Sequence, residues 1–472
     1  MQKSRGGVAM GDPLTERILN YGELNRDNIT YFVRIGPTRV EVWNGAVWTS
    51  IANTALTGTD VTTVDFAYPE IGGSKIMVYT NLEDNIRKFT GAGNDADLGG
   101  SPPKAKYLLN YNGYLLLANI DAAGSRYRSR VQWPDAGDPE NWSTGDAGAV
   151  DLLEDDLEIT GAKIFGEYAA IHKERAIYLG YLTGTDQVFR FDRKEVGSGA
   201  IAHMAIVNIP TGQQIYLSRE GLRLFNGITA PAIPSTINEE LADSMNVQFL
   251  FRNWGVIVRD LNEVHFGICI GSSEEPDTIY KYNYLTQTVY KDQPATGITV
   301  AGLYTKTADD SWDSDSETWD SDTTNWDSQS ALALHQRVVY AQGDTGLSIE
   351  RSDTADFNGE AIESFWEGKD FTAFDFQHDD SEGSLMEWQG IEIVARGTSV
   401  SVYYSTDEGA SFTLARTITL TSDFPLDSAP LIAYFRAVSS KCRPKFVNED
   451  EGGALEIKQF RMMAVSREER AA

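Results

Sequence analysis

Runs of apolar and polar residues alternating with a period of two recur along most of this chain. They are plain in Tyr31-Phe32-Val33-Arg34-Ile35, Arg39-Val40-Glu41-Val42-Trp43, Lys75-Ile76-Met77-Val78-Tyr79, Tyr114-Leu115-Leu116-Leu117-Ala118 and Gly255-Val256-Ile257-Val258-Arg259. Such runs place successive side chains on opposite faces of a strand, and the Gly, Asn and Asp residues between them supply the turns. Helical spacing is confined to residues 235–245, where Ser235 stands at the N-cap position and Glu239 and Glu240 follow in the first turns. The pattern predicts an all-β protein with one short helix.

A longer period overlies the short one. Aromatics that close strands recur at Trp43, Phe89, Trp133, Tyr178 and Phe225, in steps of 46, 44, 45 and 47 residues, and Tyr282 follows 57 later. About 45 residues is the length of one four-stranded propeller blade, and the long last step reads as a blade with an insertion. A chain of sandwiches is the competing arrangement. From about residue 360 the strands lengthen, in Glu387-Trp388-Gln389-Gly390-Ile391-Glu392-Ile393-Val394-Ala395, Ser399-Val400-Ser401-Val402-Tyr403-Tyr404-Ser405 and Ala454-Leu455-Glu456-Ile457-Lys458-Gln459-Phe460. These predict an appended C-terminal β-sandwich. The expected division is an N-terminal arm over 1–30, a β-propeller-like body over 31–305, an insertion over 306–336, the last body strands and a linker over 337–360, and the sandwich over 361–472.

The insertion is marked by Trp312-Asp313-Ser314-Asp315-Ser316-Glu317-Thr318, repeated at Trp319 and begun again at Trp326. Asp and Ser disfavour a helix, and an odd period in a strand puts successive Trp on opposite faces, so repeated turns or a protruding loop are expected. The alternating carboxylates have the spacing of a calcium loop but lack the Gly and the closing bidentate Glu of an EF-hand. In the sandwich, Ser405-Thr406-Asp407-Glu408-Gly409-Ala410-Ser411-Phe412 fits the Asp-box hairpin found in sialidases. There Asp407 is suited to tie the loop through backbone N–H groups, and Gly409 to take a positive φ. The box predicts a turn and no catalysis.

The most informative stretch runs from Ser129 to Trp142. An alternating strand containing Arg130 ends on Trp133, turns over Pro134, Asp135 and Gly137, turns again on Asp138-Pro139 and closes on Trp142. Two aromatics that can each bury about 150–250 Å² would anchor the loop between them. Downstream, Gln214-Ile215-Tyr216-Leu217-Ser218-Arg219-Glu220-Gly221-Leu222-Arg223-Leu224-Phe225-Asn226-Gly227 reads as a double strand. This order, an R-V-x-W…G-D-P-x-x-W hairpin followed by I-Y-L-S-x-x-G-L-x-x-F-N-G, resembles the tail nozzle (tail tubular protein B) family of short-tailed bacteriophages over residues 30 to 470. The resemblance implies a virion tail protein assembled in the host cytoplasm as a homo-oligomeric ring, six copies in that family. It implies contacts with the adaptor, other tail proteins and fibres or spikes, and genomic DNA passing through the lumen. The motif residues Arg130, Trp133, Asp138, Pro139, Trp142, Gly221, Phe225, Asn226 and Gly227, with Ser405, Asp407, Gly409 and Phe412 of the Asp-box, are expected to shape the fold.

Charge narrows the function further. The chain carries 40 basic and 69 acidic residues among 472, a formal net charge of −29. Such a surface repels phosphates and argues against stable, sequence-reading nucleic-acid binding, whereas an acidic wall suits a conduit through which DNA slides. No run of about 18 apolar residues exists and no apolar core follows the first basic residues, so membrane insertion and a standard export signal are not expected. Cys269 and Cys442, the only cysteines, point to a reducing compartment and away from a disulfide framework or cysteine-built zinc. The five His, at 172, 203, 265, 335 and 378, form no H-E-x-x-H, and no G-x-S-x-G or P-loop is present. Neither an enzyme, a cofactor nor a metal is therefore expected. The alternative is an Asp-box propeller glycosidase or glycan-binding protein, for which Arg126, Arg128 and Arg130 would gather on one strand face.

Overall fold

The computed structural model describes residues 7–27, 29–185, 187–234, 237–294, 296–307, 334–343, 345–351, 356–357, 360–361, 364–376, 384–421, 431–448 and 455–466. The chain divides into two compact units, a body over 9–350 and a second unit formed by 1–8 and 351–472.

Among the described residues the body contains six antiparallel sheets of three or four strands, a seventh sheet that includes Ile298–Thr307, Leu334–Gln342 and Leu347–Arg351, and a small hairpin of Glu70–Ile71 with Ser74–Lys75. Apart from that hairpin, which interrupts the second sheet, each of the six is built from strands consecutive in sequence. The first sheet is Asn20–Arg26, Ile29–Ile35, Val40–Trp43 and Trp48–Ser50; the first strands of the next six begin at Asp65, Lys104, Ile159, Ile206, Trp254 and Ile298. Trp43, Phe89, Trp133, Tyr178, Phe225 and Tyr282 all fall on the third strands of successive sheets. The 45-residue period is thus the repeat of a β-propeller-like body. The long fifth step holds the helix Ile237–Ser244, with Leu241 buried, and the 3-10 turn Leu250–Arg252. Residues 235 and 236, including the expected cap, lie outside the described residues.

The sheets stack face to face, and this explains a departure from simple alternation. A strand covered on both faces needs apolar residues at odd and even positions alike. In Met77–Thr80, Met77 and Tyr79 face the core shared with the first sheet while Val78 faces the core shared with the third. In Tyr114–Ala122, Leu115 and Leu117 face the second sheet and Tyr114, Leu116 and Ala118 the fourth. The outermost strands, such as Phe189–Val196, are largely exposed and charged instead. Period two therefore feeds two cores in the middle of each sheet.

The ring of sheets is closed by the N-terminal segment. Met10 N–H donates to Ser348 O at 2.8 Å and Leu14 N–H to Gly346 O at 3.0 Å, joining it to the seventh sheet. The strand Asn20–Arg26 packs on Ile298–Thr307, and Met10, Leu14, Ile18, Tyr21 and Phe32 share a core with Val300, Val339 and Ala341. The expected arm over 1–30 is therefore corrected for residues 9–26, which belong to the body. They complete the last sheet and form the first strand of the first, because a closed ring needs strand edges from both ends of the body. The Trp-Asp-Ser repeat that begins at Trp312, within the expected insertion over 306–336, lies outside the described residues, as do all of residues 308–333. On either side of it, Thr307 and Leu334 are cross-strand partners in one hairpin of the seventh sheet.

The second unit contains the expected β-sandwich. Met386–Gly397 is the central strand between Leu431–Ser439 and Leu455–Ser466, and a second sheet runs Ser364–Glu367, Lys441–Asn448, Ser399–Ser405, Thr413–Thr419. Trp388, Ile391 and Ile393 of the first sheet bury against Val400, Val402, Cys442 and Phe446 of the second.

Candidate functional site: a cavity bounded by the inner strands of the body

The residues singled out in the sequence are placed first. Trp133 ends the strand Ser125–Trp133 buried in the core between the third and fourth sheets, its Nε1–H donating to Asp146 O at 2.8 Å and its ring edge-on to Phe189. Trp142 packs instead against the core between the second and third sheets, half-buried, with Nε1–H donating to Pro139 O at 2.9 Å. The two indoles thus pin one loop to two different cores. Asp138 Oδ1 accepts from Glu140 N–H at 3.1 Å within that loop. Arg130 makes a two-pronged contact with Asp151 at 2.7 Å and stacks on Tyr127. That pairing raises the Arg130 pKa and lowers that of Asp151.

In the fifth sheet Phe225 is fully buried against Phe165. Asn226 Oδ1 accepts from Ile228 and Thr229 N–H at 3.0 and 2.9 Å, and Gly227 takes φ +94°. Gly221 turns the preceding hairpin at φ +101°, where a Cβ would strike the Asn238 side chain. In the sandwich, Asp407 Oδ1 accepts from Ser405 Oγ at 2.6 Å and Ser411 N–H at 2.9 Å, and Gly409 has φ +90°. These bonds hold the Asp407 carboxyl down at about 2. Phe412 lies under Lys445, 5.0 Å from Nζ to the ring. The motif residues thus fall at separate turns and ties in three regions.

A group of residues that no motif announces lies inside the ring. Sheets that meet face to face share no backbone ladder, so side chains reach across. Asn20 Nδ2–H donates to Val64 O at 2.8 Å, Asn119 Nδ2–H to Ile159 O at 2.9 Å, Thr160 Oγ1–H to Ala200 O at 2.6 Å, Trp254 Nε1–H to Ile298 O at 2.8 Å and Thr299 Oγ1–H to Ile18 O at 3.0 Å. Buried histidines act likewise, His172 with Gln214 at 2.6 Å and His265 with Tyr340 at 3.0 Å. His203 is the most telling. Its Nδ1 accepts from Ala162 N–H at 3.2 Å, which leaves Nε2–H to donate to Asp65 Oδ1 at 3.0 Å. Burial pushes the imidazole below its ordinary value despite Asp65. Burial alone would raise the Asp65 carboxyl, but His203, Lys163 and the Leu108 N–H overcome it and hold it low. An imidazole whose second nitrogen accepts from the backbone is not poised to take a proton, so this Asp–His pair is a tie between sheets.

Beside it is a cavity of about 390 Å³. Tyr107, stacked on His203 with centroids 4.8 Å apart, lines it. So do Lys106 of the third sheet, Thr160 of the fourth and Phe251 of the turn leading into the sixth. Phe251, Lys106 and Glu158 also border an adjoining space of about 600 Å³. Arg219 and Glu174, both lining residues, form an ion pair. Of the three arginines expected to gather, Arg128 lines the cavity, Arg126 donates to Asn119 O at 2.8 Å, and Arg130 turns to Asp151. Among the described residues no three His, Cys, Asp or Glu side chains converge as metal ligands. Cys269 and Cys442 are buried free thiols, each pushed up to about 12 by burial.

No family model matches the chain, and no curated protein matches it. Among solved structures, BamB from Moraxella catarrhalis superposes with TM-score 0.37 and 8% identity over 75% of this chain and 98% of that one. PorZ, a surface component of the type-IX secretion system of Porphyromonas gingivalis, gives 0.41 and 12% over 74% and 38%. BBS1N, solved in complex with ARL6DN, gives 0.43 and 7% over 75% and 100%.

Proposed function

We propose that this chain is a structural subunit of a short-tailed phage tail, a nozzle or hub protein whose copies form a ring around the DNA ejection channel. The ordered motif set from Arg130 to Gly227 carries the reading, together with what its residues do. Arg130, Trp133 and Trp142 fix the strand and loop of the third sheet, and Phe225, Asn226 and Gly227 close the fifth, as scaffold residues of a structural subunit would. The net charge of −29 suits a wall that repels DNA. A cavity of about 390 Å³ inside the body is far too small for a duplex, so DNA would pass between copies. At physiological ionic strength carboxylates act on it only within about 8 Å, enough to centre a duplex without blocking it. The glycosidase alternative has the Asp-box as its support, and there Asp407 and Ser405 are engaged in shaping a hairpin.

The test is a reconstruction of the intact tail at side-chain resolution. The reading requires this subunit to surround the central axis with Asp and Glu facing the lumen. A subunit placed off the axis, or a predominantly basic wall, would overturn it.

A further inference from the structure

We propose that the cavity beside the Asp65–His203 tie is a binding site for a small oxyanion-bearing molecule, a phosphate or carboxylate on a body of sugar size. Three observations carry this, and none depends on the tail assignment.

The first is an ammonium group without a partner. Lys106 sits on the inner strand Lys104–Tyr111, partly buried at the cavity wall, and among the described residues it has neither a hydrogen-bond nor an ion-pair partner. Its Nζ lies 5.5 Å from the centroid of the Tyr107 ring. Burial lowers its pKa; Glu158 opposes that effect, while Arg126 and Arg128 reinforce it. A cation drawn from water toward two like charges is an unfavourable arrangement that a bound anion would relieve.

The second is the local charge balance. Lys106, Arg128 and Arg219 face Asp156, Glu158 and Glu174 around the cavity, with Arg126 adjacent. Glu174 is committed to Arg219. Lys106, Arg126 and Arg128 therefore face the carboxylates of Glu158 and Asp156, with Asp121 also acting on Arg126, in a chain where acids outnumber bases by 69 to 40. The third is shape. The space is of ligand size, with Phe251 and Tyr107 as ring surfaces and Gln248 and Thr160 as hydrogen-bonding groups, the mixture that holds a polar body and orients its charged end.

The full chain would be titrated calorimetrically with inorganic phosphate, a hexose phosphate and glucuronate, with glucose as the neutral control. At least one anion should bind and glucose should not, and the stronger of phosphate and carboxylate identifies the charged group. Lys106→Met, which keeps the stem, should weaken binding roughly tenfold or more, Arg128→Gln several-fold, and Glu158→Gln should tighten it. Arg128 is exposed, so its variant keeps the test open should Lys106→Met fold poorly by its melting curve. Lys194→Met, in an outer strand, should bind like the parent. The proposal is overturned if no anion gives heat up to about 10 mM, if glucose binds equally, or if Lys106→Met and Arg128→Gln both bind like the parent.

Discussion

The body and the sandwich solve the same problem, joining sheets face to face, in different ways. In the sandwich two sheets enclose one core, and Trp388, Ile391, Val400, Val402 and Phe446 fill it without a buried ion pair among them. In the body each middle sheet faces two neighbours, and the contacts are registered by polar ties such as Asn119 to Ile159 and Asp65 to His203. Apolar packing is non-directional and tolerates sliding, whereas a buried donor without its acceptor costs about 1–3 kcal/mol. A ring must close on itself, so small errors between successive sheets would accumulate. Directional ties hold each sheet in register with the next.

The contrast can be broken most strongly by large truncations. Trp388→Ala in the sandwich and Trp133→Ala in the body should each cost about 3–5 kcal/mol in denaturant unfolding, both being buried. Trp142→Ala should cost less, about 1–2 kcal/mol, because Trp142 is only half-buried and its loop keeps the Trp133 anchor. Equal losses for Trp133 and Trp142 would contradict the assignment of the two indoles to different cores.

Removing one member of a polar tie tests the body alone. Asp65→Ala strands the Leu108 N–H and the His203 imidazole, and about 3 kcal/mol of destabilisation is expected. The double replacement Asp65→Leu with His203→Phe also strands the Ala162 N–H, so it should cost less than the sum of the two single replacements rather than less than either alone. If the double variant costs as much as that sum, the two side chains do not act as a pair.

Acid should distinguish the units next. Burial lowers His172 to about 4, and it lowers His203 as well. The unfolded chain protonates histidine near pH 6.5, so between about pH 6.5 and 4 the unfolded state binds more protons than the folded one. Stability of the body should therefore be fullest above pH 6.5 and fall by roughly 2–3 kcal/mol through His172 as pH drops to 4. Among the described residues the sandwich contains no histidine, so none of them contributes such a loss in that window. A His172→Gln variant with an unchanged pH profile would contradict this.

The smaller effects lie in single hydroxyls and exposed turns. Thr299→Val preserves shape and leaves Ile18 O without its side-chain donor, for about 1–2 kcal/mol. Asp407→Ala should leave the melting temperature of the sandwich nearly unchanged while exposing the loop to proteolysis, because its bonds stay within one solvent-facing hairpin. A large drop in melting temperature would show that the Asp-box serves the core.

What could be read from the residues alone is what neighbours in sequence decide. Alternation, the Gly and Asn turns and the 45-residue recurrence of Trp43, Phe89, Trp133, Tyr178, Phe225 and Tyr282 announced an all-β repeat, since a strand and its turn are set within a few positions and a blade repeats them. The tight turns at Gly221, Gly227 and Gly409 followed from the same local chemistry. Three things came only from the tertiary structure. Residues 10–14 looked like part of an arm because their partners, Gly346 and Ser348, stand more than three hundred positions away. Asp65 and His203 are separated by 138 residues and match no motif, so nothing local marks them as a pair. Lys106 reads as an ordinary polar position in an alternating strand, and only the ring of sheets draws it from water and sets it beside Arg126 and Arg128. Closure brings distant faces together, and pairings across it are decided by geometry that no short window of sequence contains.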